Sequence, residues 1–274
     1  MEPITMSTSH AFDQAIALSP VSPNLYQGQT SDAFLNMVGP FGGATAATLL
    51  NAVLQHPQRL GDPVSLTVNF AGPVAEGEFE VEATPLRTNR STQHWLLLQK
   101  QNGEVVTSAT AFFATRRETL SEQQLSAPVA PAPSSLQRTP LNIRNWFKQY
   151  DFRFVHGIPL QPIPADQPAD TESLLWVRDY PERPLDYCSL SALGDVFAPR
   201  IFLLRNQFTP SGTVCMTHYF HATSDELAAA GTGYVLGQAK ACRLHSNYAD
   251  QVAHLWSEDG VLLLTSTQSV YFKE

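Results

Sequence analysis

Gln101-Asn102-Gly103-Glu104-Val105-Val106-Thr107-Ser108-Ala109-Thr110-Ala111-Phe112-Phe113 is answered in the second half of the chain by Glu258-Asp259-Gly260-Val261-Leu262-Leu263-Leu264-Thr265-Ser266-Thr267-Gln268-Ser269-Val270-Tyr271-Phe272. Each begins with a hairpin turn, because Asn-Gly and Asp-Gly tolerate the positive φ that a two-residue turn between strands requires. Each continues as a strand, and Thr107-Ser108 and Thr265-Ser266 fall at the same place after the turn. Upstream the order also repeats. Gly39-Pro40-Phe41-Gly42-Gly43 opens an apolar stretch to Leu54, and Leu193-Gly194-Asp195 opens a second one, predicting a helix over Asp195–Leu204. The chain reads as a duplicated unit.

Outward from the hairpins, Gly42–Leu54 carries no charge, which marks a helix buried on all sides. Val64–Phe70 and Phe79–Ala83 alternate with period two, as strands with one face inward do, and Trp95–Leu98 is a continuous apolar strand. In the second half the corresponding strands are Thr213–Ala222, Tyr234–Leu244, Ala249–Trp256 and Val261–Phe272. Strand-rich halves with one buried helix each predict an α+β fold in which an antiparallel sheet wraps a helix. The boundaries follow from Glu118–Pro140, which holds Ala127-Pro128-Val129-Ala130-Pro131-Ala132-Pro133; such a segment favours extended polyproline II and is predicted not to pack a core. The expected units are residues 1–117, a linker 118–142, and residues 143–274. Pro159–Pro168 reads as a loop within the second unit.

The chain has 274 residues with 43% hydrophobic and 15% charged content, enough for a sizeable core. A net charge of -8 argues against a nucleic-acid binder, which needs a basic footprint. Cys188, Cys215 and Cys242 form no CxxC pair, so neither a zinc site nor a redox motif is indicated. Met1–Phe12 shows no basic start followed by an apolar run, and no stretch reaches the roughly 20 apolar residues a membrane span needs. A cytoplasmic protein without a cofactor is expected. GxSxG, HExxH and P-loop sequences are absent. His218 and His221, three apart on a strand, point to opposite faces and cannot share a metal; His156 reads as a loop residue, and Tyr219, Phe220, Trp95 and Phe112 as core.

The Phe41-Gly42-Gly43 helix opening, with Ser266-Thr267-Gln268 on the strand after an Asp-Gly-Val-Leu turn, resembles the acyl-CoA thioesterase II family of double hotdog proteins. The likeness runs over residues 20–116 and 143–272. It implies a tandem hotdog, an N-terminal domain 1–117 and a C-terminal domain 143–274, acting on an acyl-CoA as a homodimer. It also implies an Asp on the second-half helix, a Thr on the following strand and a Gln on the last strand. These fall on Asp195, Thr213 (with Thr217 the second candidate, from the placement of Phe220-His221) and Gln268. Cys215 and Met216 stand where the family often has polar residues.

Thioester hydrolysis needs an activated water and a group to hold the developing oxyanion. A carboxylate within reach of that water can act as general base, and Asp195 is the implied one; equally, an Asp after Gly at a helix start can be an N-cap. Gln268 on an inward face would need partners, since an unpaired buried amide costs about 1–3 kcal/mol, whereas on the outward face it would meet solvent. Thr213 could orient the water or be an ordinary strand residue. Gly42 and Gly43 could offer backbone N–H groups to the oxyanion or simply allow tight helix packing. Arg87 and Arg90, with Arg243 in the second half, are candidates for the coenzyme A phosphates. Aligning the halves sets Gly43, Pro63 and Thr110 against Asp195, Thr213 and Gln268, so one site per chain is expected. The alternative function is an acyl-CoA binding protein without catalysis.

Overall fold

In the computed structural model, which describes residues 9–161 and 170–273, one antiparallel sheet runs through both halves of the chain. The first half supplies α1 (Ala11–Ala15), β1 (Leu18–Ser22), β2 (Leu25–Gln29), α2 (Gly42–Leu54), β3 (Asp62–Phe70), β4 (Glu78–Thr88), β5 (Thr92–Gln101) and β6 (Glu104–Ala114). The second supplies β7 (Tyr150–His156), β8 (Ser173–Asp179), α3 (Tyr187–Leu193), α4 (Ile201–Arg205), β9 (Ser211–Phe220), α5 (Ser224–Ala230), β10 (Val235–Lys240), β11 (Leu244–His245), β12 (Tyr248–Trp256) and β13 (Leu262–Phe272). The halves meet where β3 pairs with β9, from Ser65↔Tyr219 to Asn69↔Cys215. From that seam the order is β6, β5, β4, β2, β1 one way and β13, β12, β10, β8, β7 the other. The same topology is therefore written twice, as a tandem hotdog.

The two central helices, α2 and α3, pack against each other inside the curved sheet. Ala46, Ala47, Leu49, Leu50, Ala52 and Val53 of α2 are all fully buried, as its lack of charge requires. Gly43 permits the close approach: a Cβ there would sit 2.7 Å from the carbonyl oxygen of Ala192 on α3. The start of α2 thus rests on the end of α3, and this crossing creates the candidate site.

Four expectations are corrected. The second central helix is Tyr187–Leu193, not Asp195–Leu204, which holds only the short α4. Its N-cap is Asp186, whose side chain accepts from the Ser189 amide at 2.8 Å, and Gly194 ends it. A Cβ on Gly194 would lie 2.8 Å from both the His218 ring and Leu264, so the chain leaves the helix pressed against the sheet. Second, the Pro/Ala segment does pack. Ala127, Ala130 and Leu136 lie on Leu174, Trp176, Tyr234 and Leu236, and the Pro131 carbonyl accepts from the Trp176 indole at 2.9 Å. A polyproline II backbone has no internal hydrogen bonds, so its carbonyls are free for such pairing, and the outer face of β8 and β10 is apolar. Third, Tyr219 is 47% exposed and Phe112 half-buried, because both lie on the outward face of their strands, while Trp95 and Phe220 are core. Fourth, His156 ends β7 rather than lying in a loop, its Nε2 3.0 Å from Glu172. Residues 1–8 and most of the Pro159–Pro168 stretch lie outside the described residues, within which no helix is long and apolar enough to cross a membrane.

Candidate active site

The site begins with the end of α3. Gly194 is its C-cap, and just past it Asp195 turns its side chain toward the start of α2 in the other half. That start needs a partner, because Phe41, its N-cap residue, makes no side-chain cap hydrogen bond, and the first N–H groups of a helix have no internal acceptors. The Gly43 N–H reaches the Asp195 carboxylate. Asp195 therefore faces a helix start, but the one in the other half rather than its own. Gly42 leaves room for this: a Cβ there would stand 2.8 Å from Oδ2 of Asp195.

Gln268 projects inward from β13 and is 7% exposed. Its Nε2 donates to Oδ1 of Asp195 at 2.7 Å, and its Oε1 accepts from the Thr213 hydroxyl at 3.0 Å. The carboxylate, which when ionised only accepts, fixes which way the amide faces, and the Thr213 hydroxyl, able to donate or accept, then donates to Oε1. Thr217 plays no part here, since its hydroxyl meets that of Thr67 at 3.1 Å across the β3–β9 seam. The three residues named from the sequence are thus joined in one hydrogen-bonded chain.

Two effects compete for the Asp195 proton. The Gln268 and Gly43 donors and the dipole of α2 favour the carboxylate, while desolvation by the surrounding protein disfavours it. Burial wins, and the carboxyl is pushed up to about 7. A carboxylate poised near neutrality can both take a proton and return it. Behind it, Tyr150 is buried with its hydroxyl unpaired among the described residues, and burial together with Asp179 and Asp195 raises its pKa. His218 packs on Gly194 with Nδ1 3.1 Å from the Ser191 hydroxyl; burial lowers it to about 3, so it stays neutral.

Asp195, Gln268 and Thr213 open onto a cavity of about 350 Å³ between the halves. Much of its wall is aromatic. Phe41 stacks on Trp146 with ring centroids 4.1 Å apart, Trp146 on Phe147 at 3.7 Å, and Phe70, Phe197 and Phe202 complete it. Trp146 and Phe147 were missed from the sequence, although the Trp-Phe pair immediately after the Pro-rich stretch was a signal. Gln251, also in the wall, was missed as well.

The chain matches the N-terminal domain of acyl-CoA thioesterases over residues 32–114 and the C-terminal domain over residues 123–272. It belongs to the acyl-CoA thioesterase family. Among solved structures, a conserved hot dog-fold protein of unknown function from Alicyclobacillus acidocaldarius is 44% identical, with a TM-score of 0.92 over 97% of this chain and 99% of that one. The acyl-CoA thioesterase II TesB2 of Mycobacterium marinum is 19% identical, with a TM-score of 0.77 over 96% and 98% of the two chains, and so shares the fold. A TesB protein of Mycobacterium avium subspecies paratuberculosis likewise shares it, at 17% identity and a TM-score of 0.77 over 97% of this chain and 100% of that one. No curated protein sequence matches the chain.

The other candidate residues lie away from this network. Arg87, near the end of β4, and Arg90, on the turn to β5, are exposed, and Arg87 bonds Asn89 at 2.9 Å; neither they nor the exposed Arg243 line the cavity. Among the described lining residues the cation is Arg144, with its guanidinium 5.8 Å from the Phe208 ring. The comparison of halves also changes. Thr110 faces outward, and the inward residues beside it on β6 are Ala109 and Ala111. Gly43 is not the counterpart of Asp195 either, because it opens a helix whereas Asp195 follows one. Even so, β6 offers no inward side chain there that could do the work of Gln268.

Proposed function

We propose that this chain hydrolyses acyl-CoA thioesters to a free carboxylic acid and coenzyme A, using a water held by Asp195, Gln268 and Thr213. The observation that carries this is the Thr213–Gln268–Asp195 chain ending on a carboxyl raised to about 7 at the wall of an apolar cavity. Asp195 takes a proton as the water oxygen bonds to the carbonyl carbon. The tetrahedral intermediate then collapses, the C–S bond breaks, and the proton passes to the departing thiolate. The acyl group lies against the aromatic wall, and Arg144 rather than Arg87 or Arg90 is the cation placed to meet the phosphates.

A panel of acyl-CoAs, followed by release of free thiol, tests the reading. Activity should rise with pH through about 7 and level off above it, because the base works only when ionised and burial sets its pKa there. A flat profile between about pH 5 and 9 would remove Asp195 from the role of base. Tight binding with no turnover across the panel would favour the non-catalytic alternative.

The same reading includes a cytoplasmic homodimer. All three cysteines are free. The sheet ends at β1 and β7; the linker lies against β7, where the Thr139 N–H donates to the Phe152 carbonyl at 2.7 Å, and an uncovered edge such as that of β1 is ready to pair with another chain. Light scattering at micromolar concentration should give the mass of two chains; the mass of a single chain would count against it.

A further inference from the structure

Hydrolysis also needs a donor for the oxyanion, and the Thr213–Gln268–Asp195 chain does not supply one. The helix-start N–H of Gly43 is directed at Asp195. The Gln268 amide is fixed between Thr213 and Asp195. Two side chains of the cavity wall stand out as unpartnered: Ser211, whose hydroxyl is buried without a partner, and Gln251, whose amide lies beside that of Gln268. Gln251 on β12 is 2% exposed, lines the cavity, and is the direct cross-strand partner of Gln268. Among the described residues its amide has no hydrogen-bond partner. Gln93, a second fully buried glutamine, shows what satisfaction looks like here: its amide bonds the Leu60 N–H, the Gln58 carbonyl, the Thr88 hydroxyl and the Trp95 indole.

An unpaired buried amide is unfavourable unless something else binds to it. Directly opposed residues of an antiparallel pair have Cβ atoms about 4.5–5.5 Å apart and point to the same face. The Gln251 amide therefore stands beside the Gln268 amide, on the side away from Thr213, facing the same space. Resting on the hydrolase reading, we propose that the side-chain N–H of Gln251 hydrogen-bonds the thioester carbonyl oxygen and the oxyanion it becomes. As the water oxygen bonds to the carbonyl carbon, the C=O electron pair moves onto oxygen and the bond from Gln251 strengthens. When the pair returns and the thiolate leaves, Gln251 is unchanged. A neutral amide suits this position, since a cation there would hold the Asp195 carboxylate in an ion pair.

Two variants test the proposal. Gln251→Met keeps the length and removes the amide; Gln251→Glu keeps the size but replaces the donor with an acceptor. Loss of one oxyanion donor lowers kcat by about 10²–10³, with KM little changed and, for Gln251→Met, the pH midpoint unmoved. An effect confined to KM, or none, overturns the proposal and would leave Gln251 to a polar substituent of the acyl chain. A second readout needs no turnover. In an acyl-CoA ketone, with CH₂ in place of the thioester sulfur and ¹³C at the carbonyl, infrared difference spectroscopy should show the bound carbonyl stretch at lower frequency in the unaltered protein than in Gln251→Met. Equal frequencies, or no binding of the ketone, overturn the proposal. A shift that depends on Gln251 in a protein that hydrolyses no acyl-CoA would uphold Gln251 as the carbonyl donor and overturn the hydrolase reading alone.

Discussion

Replacing Asp195 with Asn lowers kcat by about 10²–10⁴, the usual effect of removing a general base, while acyl-CoA binding and the fold persist. Asparagine keeps the shape and can still accept from Gln268 and Gly43, so the change isolates the charge and the proton. Stability moves the other way. The Asp195 carboxyl is ordinary in the unfolded chain, near 3.8, and about 7 when folded. Below 3.8 both states are protonated and burial carries no ionisation cost. As pH rises the unfolded chain ionises first, so the folded state loses stability until its own carboxyl ionises at about 7, and it stays lower above that. At 1.36 kcal/mol per pH unit, the Asn variant gains about 3 kcal/mol on the wild type between about pH 4.5 and 8. Urea denaturation at the two pH values measures this. Activity within threefold of wild type would reduce Asp195 to a structural contact of the α2 start, and a pH-independent stability difference would show that it does not titrate near neutrality.

Gln268→Ala is expected to cut kcat by about 10², the scale of a misplaced reactant, with a smaller change in KM. It removes the 2.7 Å donor to Asp195 and the acceptor for Thr213 at once. Since that donor lowers the Asp195 pKa, the midpoint of the pH–rate profile should also move upward from about 7. A purely structural Gln268 would leave the midpoint in place. A change in KM alone would make Gln268 a substrate contact instead of a holder of water.

Much of the fold was legible because it is local. The hairpin at Asn102-Gly103 follows from turn chemistry, both residues taking positive φ, whereas at Asp259-Gly260 only Gly260 does and the loop runs over residues 257–261; the strands follow from period-two alternation, and burial of α2 from the absence of charge. The second central helix lies upstream of its expected place because two stretches carry similar punctuation. Gly194-Asp195 looked like a helix start, while Asp186 before the uncharged run Tyr187–Leu193 carried the real one. The outward turn of Thr110, Phe112 and Tyr219 is a matter of strand register, which a shift of one residue reverses.

The candidate site divides in the same way. By itself the sequence determined a duplicated α+β chain, a family likeness, and three polar residues confined to the second half. Only the tertiary structure decided that Asp195 leaves the end of α3 to meet the start of α2, that Gly42 makes room for its carboxylate, that Trp146 and Phe147 close the apolar wall, and that Gln251 faces Gln268 without a partner. The physical reason is range. Turns, caps and alternation are set by neighbours a few residues away, and so are written along the chain. Desolvation of a carboxyl, an unpaired amide and the wall of a cavity are set by residues brought together from both halves, and exist only once those halves have packed.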